Sequence, residues 1–346
     1  MTLDTPLVSE RLAEAPARVR TRVAIAGATG YAGQELVRIL ARHPAVILTA
    51  AMSSAATSTP RPLPALARVW DGTVVPLDVD RLATEADVVF LALPETVSAE
   101  LAPGLLERGV RVIDLSGAFR IRSNADRQRW YPATTSLPAG TVYGLSEGNQ
   151  EAIRGARLVS NPGCYPTAAL LALGPLAKAG LLEGSIVVDA KSGISGAGKA
   201  PSERTHFSEN HGSVAAYAVF SHRHTAEMEQ EISATVTFVP HLVPLDRGIL
   251  ETIYALARRG TTESHVADAL QRAYANAPFV RLTGSALPEI KHVAHTNFCD
   301  IGWKVDEGRG RIVLVAVIDN LIKGAAGSAV QNLNILLGLD ERTGLL

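Results

Sequence analysis

The 346-residue sequence is poor in several features that mark particular classes of protein. Two cysteines are too few for a disulfide framework, so we expect a hydrophobic core and a reducing compartment. No apolar run approaches the ~18 residues that span a bilayer. Lysine and arginine (33) almost balance aspartate and glutamate (34), and the net charge of −1 argues against a nucleic acid or an anionic membrane as the main partner.

Metal ligands and targeting segments are also missing. The sequence contains no Cys/His spacing typical of a metal site and no H-E-x-x-H motif, so we expect no metal. Residues 1–20 mix acids, bases and prolines and lack the apolar centre of a signal peptide. We therefore expect a flexible N-terminal extension that is neither a secretory signal nor a membrane anchor, in a cytoplasmic protein.

The order of apolar segments predicts the architecture. The length allows about two domains of ~100–200 residues each. In residues 21–163, short apolar strands alternate with helical stretches, which is typical of a Rossmann-type, doubly wound parallel sheet. Residues 164–318 hold longer strand-like runs with few helices, which indicates an α+β domain on a mixed sheet, expected to be catalytic and to dimerise. Residues 319–346 predict an amphipathic helix that returns to the first domain.

A glycine-rich turn lies between the first strand and the first helix. Its sequence, GATGYAG, places Gly27, Gly30 and Gly33 in a variant of the dinucleotide-binding motif. Glycines here allow a tight turn, close approach to a phosphate and close helix–strand packing, and the N–H groups at the helix start can bind an anion. We therefore predict a dinucleotide site that includes Thr29 and Tyr31.

The end of the second strand distinguishes between the two nicotinamide dinucleotides. An NAD enzyme usually has Asp or Glu there to bind the ribose 2′-hydroxyl, whereas this strand ends in AAMSS at positions 50–54. A carboxylate would repel a 2′-phosphate. Its absence favours NADP(H), with Ser53 and Ser54 beside the cofactor.

One cysteine stands in a turn suited to catalysis. Cys164, in SNPGCYPT, lies between a short strand and a helix start, where the helix dipole and free N–H groups favour a thiolate and can stabilise an oxyanion. Pro162, Gly163 and Pro166 make a sharp turn that presents the side chain. A buried structural cysteine is the alternative, and it is our prediction for Cys299, which lies in an apolar strand-like run.

Two histidines and an arginine are candidates for acid–base catalysis and anion binding. His222 and His224 open a helix in HRHTAEMEQE, where the positive end of the dipole keeps an imidazole neutral and able to accept a proton. Glu227 lies on the same helical face and is placed to orient His224. Arg120 follows a strand at the carboxyl edge of the sheet and can bind a phosphate or carboxylate. Surface histidines and a surface salt bridge are the structural alternatives.

Together these segments resemble the semialdehyde dehydrogenase family, from about residue 22 to residue 338. The matching blocks are GATGYAGQEL (27–36), DLSGAFR (114–120), SNPGCYPTA (160–168), KSGISGAGK (191–199), HRHTAEMEQE (222–231) and DNLIKGAAGSAVQN (319–332). The resemblance is to the arginine-biosynthesis branch of the family. It implies NADPH-dependent reduction of N-acetyl-L-glutamyl 5-phosphate to the 5-semialdehyde with release of inorganic phosphate, by a homodimer or homotetramer.

The resemblance also implies a role for individual residues. It makes Cys164 the nucleophile that forms a thioacyl intermediate, and His224, with His222 second, the acid–base residue. The substrate-binding residues that it implies are Arg120, Arg223, Asn161 and Ser192. The cofactor-binding residues that it adds to the glycine-rich turn are Pro94, Ser116, Gly196 and Asn320.

Other functions share parts of this pattern. The nearest alternative is the same chemistry on a carrier-linked aminoadipyl phosphate in lysine biosynthesis, followed by aspartate-semialdehyde dehydrogenase. A non-catalytic NADP-sensing or scaffold protein belongs to a different class. The joint presence of a nucleophile, a base-like histidine and an anion-binding arginine argues against that class.

Overall fold

The computed structural model describes residues 20–53 and 59–346, which contain two seven-stranded sheets. Ser54 and the first 19 residues, most of the expected N-terminal extension, lie outside the described residues. The strands of the first sheet are β1 (Thr21–Ala26), β2 (Val46–Ser53), β3 (Val75–Pro76), β4 (Val88–Leu91), β5 (Arg111–Asp114), β6 (Thr141–Tyr143) and β7 (Leu158–Ser160). Their order is β3-β2-β1-β4-β5-β7-β6 and all pairings are parallel.

Helices cover both faces of the first sheet. They are α1 (Tyr31–Leu40), α2 (Val79–Glu85), α3 (Glu95–Glu107), α4 (Asn124–Trp130) and α5 (Ser146–Arg154). Alternate residues of β1 and β4 enter two different apolar clusters, one on each face. This burial on both sides explains why β4 is a continuous apolar run rather than an alternating one.

The second sheet is mixed. Its strands are β8 (Leu182–Gly193), β9 (Ala215–Ala216), β10 (Val236–Val243), β11 (Ile249–Ala257), β12 (Val280–Gly284), β13 (Cys299–Asp306) and β14 (Arg311–Ile318). The strand order is β12-β13-β14-β11-β8-β10-β9, with parallel β8–β10 and β12–β13 pairs and antiparallel pairs elsewhere. The expectation of a doubly wound parallel sheet followed by a mixed sheet is confirmed.

Helix α6 (Cys164–Lys178) lies against one face of this second sheet and forms the largest apolar cluster with it. The other helices of this part are α7 (Phe207–Asn210), α8 (His224–Ile232) and α9 (Glu263–Tyr274). The short 3₁₀ segments of the described chain are Pro64–Leu66, Ile194–Ala197, Glu203–Thr205, Ile290–His292 and Glu307–Arg309. Because side chains alternate along a strand, the opposite face of the sheet exposes a second row. In that row Val187, Tyr254 and Leu256 are exposed apolar residues.

The chain ends with a π-helical turn, Ile322–Ala326, which continues directly into α10 (Gly327–Leu336). Both segments are buried almost throughout. Val330 and Leu333 of α10 pack in the same apolar cluster as residues of α1 and β1. The C-terminal segment therefore joins the core of the first sheet, while its π-helical turn contacts α6.

Gly33 allows α1 to pack directly on the turn that precedes it. A Cβ at this position would lie 2.1 Å from the carbonyl oxygen of Gly27. Because the obstacle is backbone, Gly33→Ala is expected to lower the free energy of unfolding by about 1–3 kcal/mol. The matched control is Gly104→Ala in α3, where nothing lies within 4 Å of the added Cβ and helix propensity favours alanine by about 0.5–1 kcal/mol. Urea unfolding of both variants measures this, and equal stabilities contradict it.

Candidate active site

The glycine-rich turn has the geometry of an anion-binding loop. Gly27 has φ +97°, and a Cβ there would lie 2.1 Å from the carbonyl oxygen of Ala92. Gly30 precedes α1 in an extended conformation, and no described side chain caps the first N–H groups of that helix. Thr29 Oγ1 lies 3.2 Å from Ser53 Oγ. The turn thus keeps backbone N–H groups at a helix start available for a phosphate, as a dinucleotide requires.

A loop from the second sheet reaches this turn. Lys199 Nζ donates to the carbonyl oxygen of Thr29 at 3.3 Å. Tyr31, the first residue of α1, is 40% exposed and lines a cavity of about 630 Å³ together with Lys199. Arg247 bridges the same region by pairing with Glu35 of α1 and, at 3.3 Å, with Asp319. The ion pairs of Arg247 therefore connect the two sheets, and the sequence analysis did not identify Arg247 or Glu35 as important.

Two residues expected at the cofactor also hold loops. The Ser116 hydroxyl donates to Asp114 Oδ2 at 2.8 Å and accepts from a backbone N–H of its own turn. Asn320 donates to Ser195 Oγ at 2.9 Å and accepts the Gly248 N–H at 2.7 Å. Both polar groups are buried and already paired within the protein. Their roles as cofactor contacts stay predictions, and the hydrogen bonds show that both side chains also support loops.

Two polar residues expected at the substrate are likewise paired within the protein. The amide of Asn161 donates to Ser328 Oγ at 3.0 Å and accepts from Asn332 at 3.0 Å, so it holds the C-terminal helix. The Ser192 hydroxyl donates to the carbonyl oxygen of Gly193 at 3.0 Å. Gly196 lies against it, because a Cβ there would be 2.9 Å from Ser192 Oγ. Ser192 and Gly196 thus shape the end of β8 and the loop after it, and the substrate contacts of Asn161 and Ser192 stay predictions.

Cys164 is the first residue of α6 and follows an extended Gly163. The side chain is partly exposed, and Gly324 of the π-helical turn approaches it so closely that a Cβ there would lie 2.8 Å from Cys164 Cβ. Burial raises the pKa of the Cys164 thiol to about 11, opposed by the Arg120 charge and the Tyr165 N–H. Loss of hydration thus opposes the effect of the helix start on this thiol, and the expected thiolate stays a prediction.

His224, the predicted acid–base residue, lies beside the same turn. It is the first residue of α8, and its ring packs on the cysteine turn: a Cβ at Gly163 would lie 2.4 Å from His224 Nε2. Burial, followed by the effects of His222 and Arg120, lowers the pKa of His224 well below 6.5. The imidazole is therefore neutral at pH 7. Its Nδ1 is buried and has no hydrogen-bond partner in the described part of the chain.

Arg120 and Glu227 form a buried pair beneath the same turn. Arg120 donates to the carbonyl oxygens of Asn161 at 2.8 Å and Leu115 at 2.9 Å, and its Nη1 lies 3.4 Å from both Glu227 Oε2 and His224 Nε2. Only this Nη1 edge faces the histidine.

Glu227 forms its shortest hydrogen bonds with Tyr143 and Gly163, and none with His224. It accepts from the Tyr143 hydroxyl at 2.7 Å and from the Gly163 N–H at 2.8 Å. The expectation that Glu227 orients His224 directly is wrong, since Arg120 lies between them. Tyr143, which the sequence analysis missed, fixes the carboxylate.

His222 lies beside His224 with its ring centroid 4.7 Å away. Its Nδ1 accepts the backbone N–H of His224 at 3.2 Å, and its ring makes an edge contact with Tyr165. Burial, with the Arg223 charge, lowers the pKa of His222 to about 4. His222 thus supports the start of α8 and borders a cavity of about 860 Å³ that also includes Arg223.

Arg223 points toward the first sheet. Its Nη1 lies 3.0 Å from Glu95 Oε1, its guanidinium lies 5.1 Å from the Tyr131 ring, and its side chain is 48% exposed. Pro94 is exposed just before α3, beside Glu95. The structure therefore pairs Arg223 with a carboxylate at the edge of the cavity rather than leaving it as a free cation.

The neutral histidines predict that acid destabilises the fold. The folded pKa of His222 is about 4 against 6.5 for the unpaired residue, so the unfolded chain binds more protons between these values. Stability from this group is complete above pH 6.5 and is lost as the pH falls toward 4. Urea midpoints between pH 7.5 and 4.5 should fall less in His222→Gln than in the unmodified protein. An exposed-site control, His211→Gln, should follow the unmodified protein; equal slopes in all three contradict the assignment.

Comparison with known proteins defines the class. Residues 22–156 match the NAD binding domain of semialdehyde dehydrogenases, and residues 164–320 match their dimerisation domain. Aspartate semialdehyde dehydrogenase II from Vibrio cholerae, complexed with ASA, has the same fold, with a TM-score of 0.72 and 22% identity over 92% of this chain and 99% of that one. The Candida albicans enzyme with NADP gives a TM-score of 0.69 at 17% identity, covering 92% and 99%. The fold and the matched domains define an oxidoreductase of the semialdehyde dehydrogenase class that uses a nicotinamide cofactor.

Closer relatives identify the branch. N-acetyl-gamma-glutamyl-phosphate reductase from Brevibacillus brevis is 46% identical, covering 94% of this chain and 97% of the relative. The enzymes of that name from Desulforapulum autotrophicum and Geobacillus stearothermophilus are each 48% identical, covering 94% and 93% of this chain and 97% of each relative. The chain belongs to the N-acetyl-gamma-glutamyl-phosphate reductase family. The resemblance, the enzyme class and the cofactor class expected from the sequence are confirmed. Among the described residues, no helix has the length and apolarity to cross a membrane.

Proposed function

We propose that the chain reduces N-acetyl-L-glutamyl 5-phosphate to N-acetyl-L-glutamate 5-semialdehyde with NADPH, releasing inorganic phosphate, in cytoplasmic arginine biosynthesis. The single observation that carries the chemistry is the packing of the neutral His224 ring on the turn that presents Cys164, with the Arg120 charge beside it. The names of relatives at 45–48% identity support the substrate. The lack of a carboxylate in Val46–Ser53 supports NADPH over NADH.

In the proposed reaction, Cys164 attacks the acyl carbon while His224 Nε2 takes the thiol proton. The C–O bond to phosphate breaks, phosphate leaves, and a thioester with Cys164 remains. Arg120 lowers the cost of the negative charge at this turn. A cysteine suits the reaction because a thioester accepts a hydride where a carboxylate does not.

When bound at the glycine-rich turn, NADPH would supply the hydride that this thioester carbonyl accepts. The N–H groups in the first turn of α6 stabilise the oxyanion that results. Collapse of the thiohemiacetal breaks the C–S bond, releases the aldehyde, and lets the His224 imidazolium return its proton to sulfur. The neutral imidazole is thereby restored for the next cycle.

The division of labour along the chain is part of the proposal. Residues 21–163 would bind NADPH through the turn from Gly27 to Gly33. Residues 164–318 would hold the catalytic residues and the subunit interface, and residues 319–346 would return to the first domain. Packing of α10 in the apolar cluster around α1 supports this last assignment.

We infer that the chain assembles through the outer face of its second sheet, as a homodimer or as a tetramer of such pairs. Tyr254 is 45% exposed and Leu256 52% exposed on that face, beside a cavity of about 550 Å³. A contiguous apolar face of this kind is typical of a subunit contact.

The variant Leu256→Asp should dissociate the oligomer, because a second copy would have to bury the new charge. Light scattering at micromolar concentration measures the mass. The control is Ile47→Asp, an equally exposed apolar residue of β2, at 47%. An oligomer that survives Leu256→Asp, or is lost equally in the control, contradicts this interface.

The function itself is tested in the reverse direction. Purified protein should reduce NADP when given N-acetylglutamate 5-semialdehyde and phosphate, and arsenate should replace phosphate. Parallel reactions with the aminoadipate and aspartate semialdehydes test the alternative substrates. Faster turnover of either of these would overturn the proposed substrate.

A further inference from the structure

The cavity of about 860 Å³ beyond His222 contains side chains that the proposed chemistry does not use. The His222 ring lines this cavity, and its centroid is 4.7 Å from that of the His224 ring. Tyr217 forms part of its wall and lies 3.2 Å, oxygen to oxygen, from the Tyr165 hydroxyl. The cavity therefore reaches the histidine ring that packs on His224.

Asn210, the last residue of α7, lines the cavity and is only 6% exposed. Its Oδ1 is buried and has no hydrogen-bond partner in the described part of the chain. A buried carbonyl without a donor is unfavourable and rare in proteins. The last torsion of asparagine is broad, so a modest rotation of the amide turns this oxygen toward the cavity. The position calls for an N–H donor that the protein does not provide.

Arg204 supplies a positive charge in the same cavity. Its guanidinium lies 5.1 Å from the centroid of the Tyr217 ring, and it makes no salt bridge to a described residue. Arg223, by contrast, is paired with Glu95. Arg204 and two glutamates of the same cavity wall, Glu203 and Glu209, are all exposed. A planar guanidinium stacked on an aromatic ring is suited to binding a carboxylate through two N–H groups.

Resting on the proposed function, we propose that this cavity binds the amino-acid end of the substrate. Asn210 Oδ1 accepts the N–H of the acetamido group, and Arg204 binds the α-carboxylate. In N-acetylglutamyl phosphate the reacting carbon is three bonds from the α-carbon, and in this proposal both α-substituents point from Cys164 toward the cavity that His222 lines. In this proposal the cavity recognises both the uncharged acetamido group, through Asn210, and the charged α-carboxylate, through Arg204.

The amide contact is tested with a substrate cycle. Two aldehydes are compared: N-acetylglutamate semialdehyde and the analogue with an acetate ester in place of the acetamide, which lacks the N–H. The unmodified protein should lose about 10-fold in kcat/KM with the ester, mostly in KM, the size of one hydrogen bond. Asn210→Ala should lose about 10-fold with the amide and nothing further with the ester. Independent, multiplicative losses, or no loss in either comparison, would overturn the contact.

The carboxylate contact has its own variant. Arg204→Met should raise KM for N-acetylglutamate semialdehyde by about 10- to 100-fold, with Arg204→Lys intermediate. The control is Arg129→Met, an arginine 4.8 Å from the Trp130 ring in a different cavity. Masking the α-carboxylate as its amide should remove the difference between Arg204→Met and the unmodified protein; a difference that persists refutes the contact. Failure of the unmodified protein to turn over the aldehyde would instead refute the proposed function.

Discussion

Replacing Cys164 by serine should lower kcat by about 10⁴-fold or more, the scale seen when an enzyme loses its nucleophile. The serine hydroxyl is a poorer nucleophile, and its acyl ester accepts a hydride less readily than a thioester. Binding of NADPH should be unchanged, because its proposed turn lies in a different part of the fold, on α1. Steady-state turnover and a fluorescence titration with NADPH measure the two quantities separately.

The control for this variant is the other cysteine. Cys299 lies in β13, is fully buried in the apolar cluster under α6, and has a pKa that burial raises. Cys299→Ser should keep kcat and lose stability, since a hydroxyl replaces sulfur in an apolar environment. Turnover by Cys164→Ser within 100-fold of the unmodified protein would remove the nucleophile assignment. Loss of kcat in both variants would point to misfolding.

The sequence predicted the parts of the fold that local patterns determine. Buried parallel strands such as β4 are continuous apolar runs, and the turn that presents Cys164 is marked by Pro162 and Gly163 before the cysteine and Pro166 after it. Short polar helices were missed, including α4, because they bury few apolar side chains. A local signal for α4 was available: Ser123 caps it by accepting from the Asp126 N–H at 3.3 Å.

The charges around the cysteine could not be predicted in the same way. Spacing along α8 placed Glu227 next to His224, yet partners from distant segments decide where each group points. Arg120 comes from the end of β5 and Tyr143 from β6, and neither contact has a signature in the sequence. The pKa of the Cys164 thiol could not be predicted for the same reason. A helix start can be recognised in the sequence, but the burial that raises this pKa depends on packing.

His224→Ala should lower kcat by about 10²–10⁴-fold, the usual contribution of general acid–base catalysis. The thiol of Cys164 has a pKa of about 11, so at pH 7.5 almost all of it is protonated and attack requires a base. His224 is neutral at that pH because burial lowers its pKa, and its Nε2 faces the turn that carries the thiol. In the variant, kcat should instead rise with pH, as hydroxide and the ionised thiol replace the lost base.

His222→Ala separates the two histidines. His222 accepts the backbone N–H of His224 and its ring contacts Tyr165, whereas His224 packs on Gly163, so the loss of His222 should cost less in kcat than the loss of His224. Because His222 also helps to lower the pKa of His224, its loss should move the acid limb of the pH profile of kcat to higher pH without removing it. Iodoacetamide should still alkylate Cys164 in both variants, more slowly below pH 8 in His224→Ala. If His222→Ala has the larger effect on kcat, or if His224→Ala keeps the original pH profile, the proton is carried by His222. In that case His222 would be the acid–base residue, and His224 would support it through the contact between the two rings.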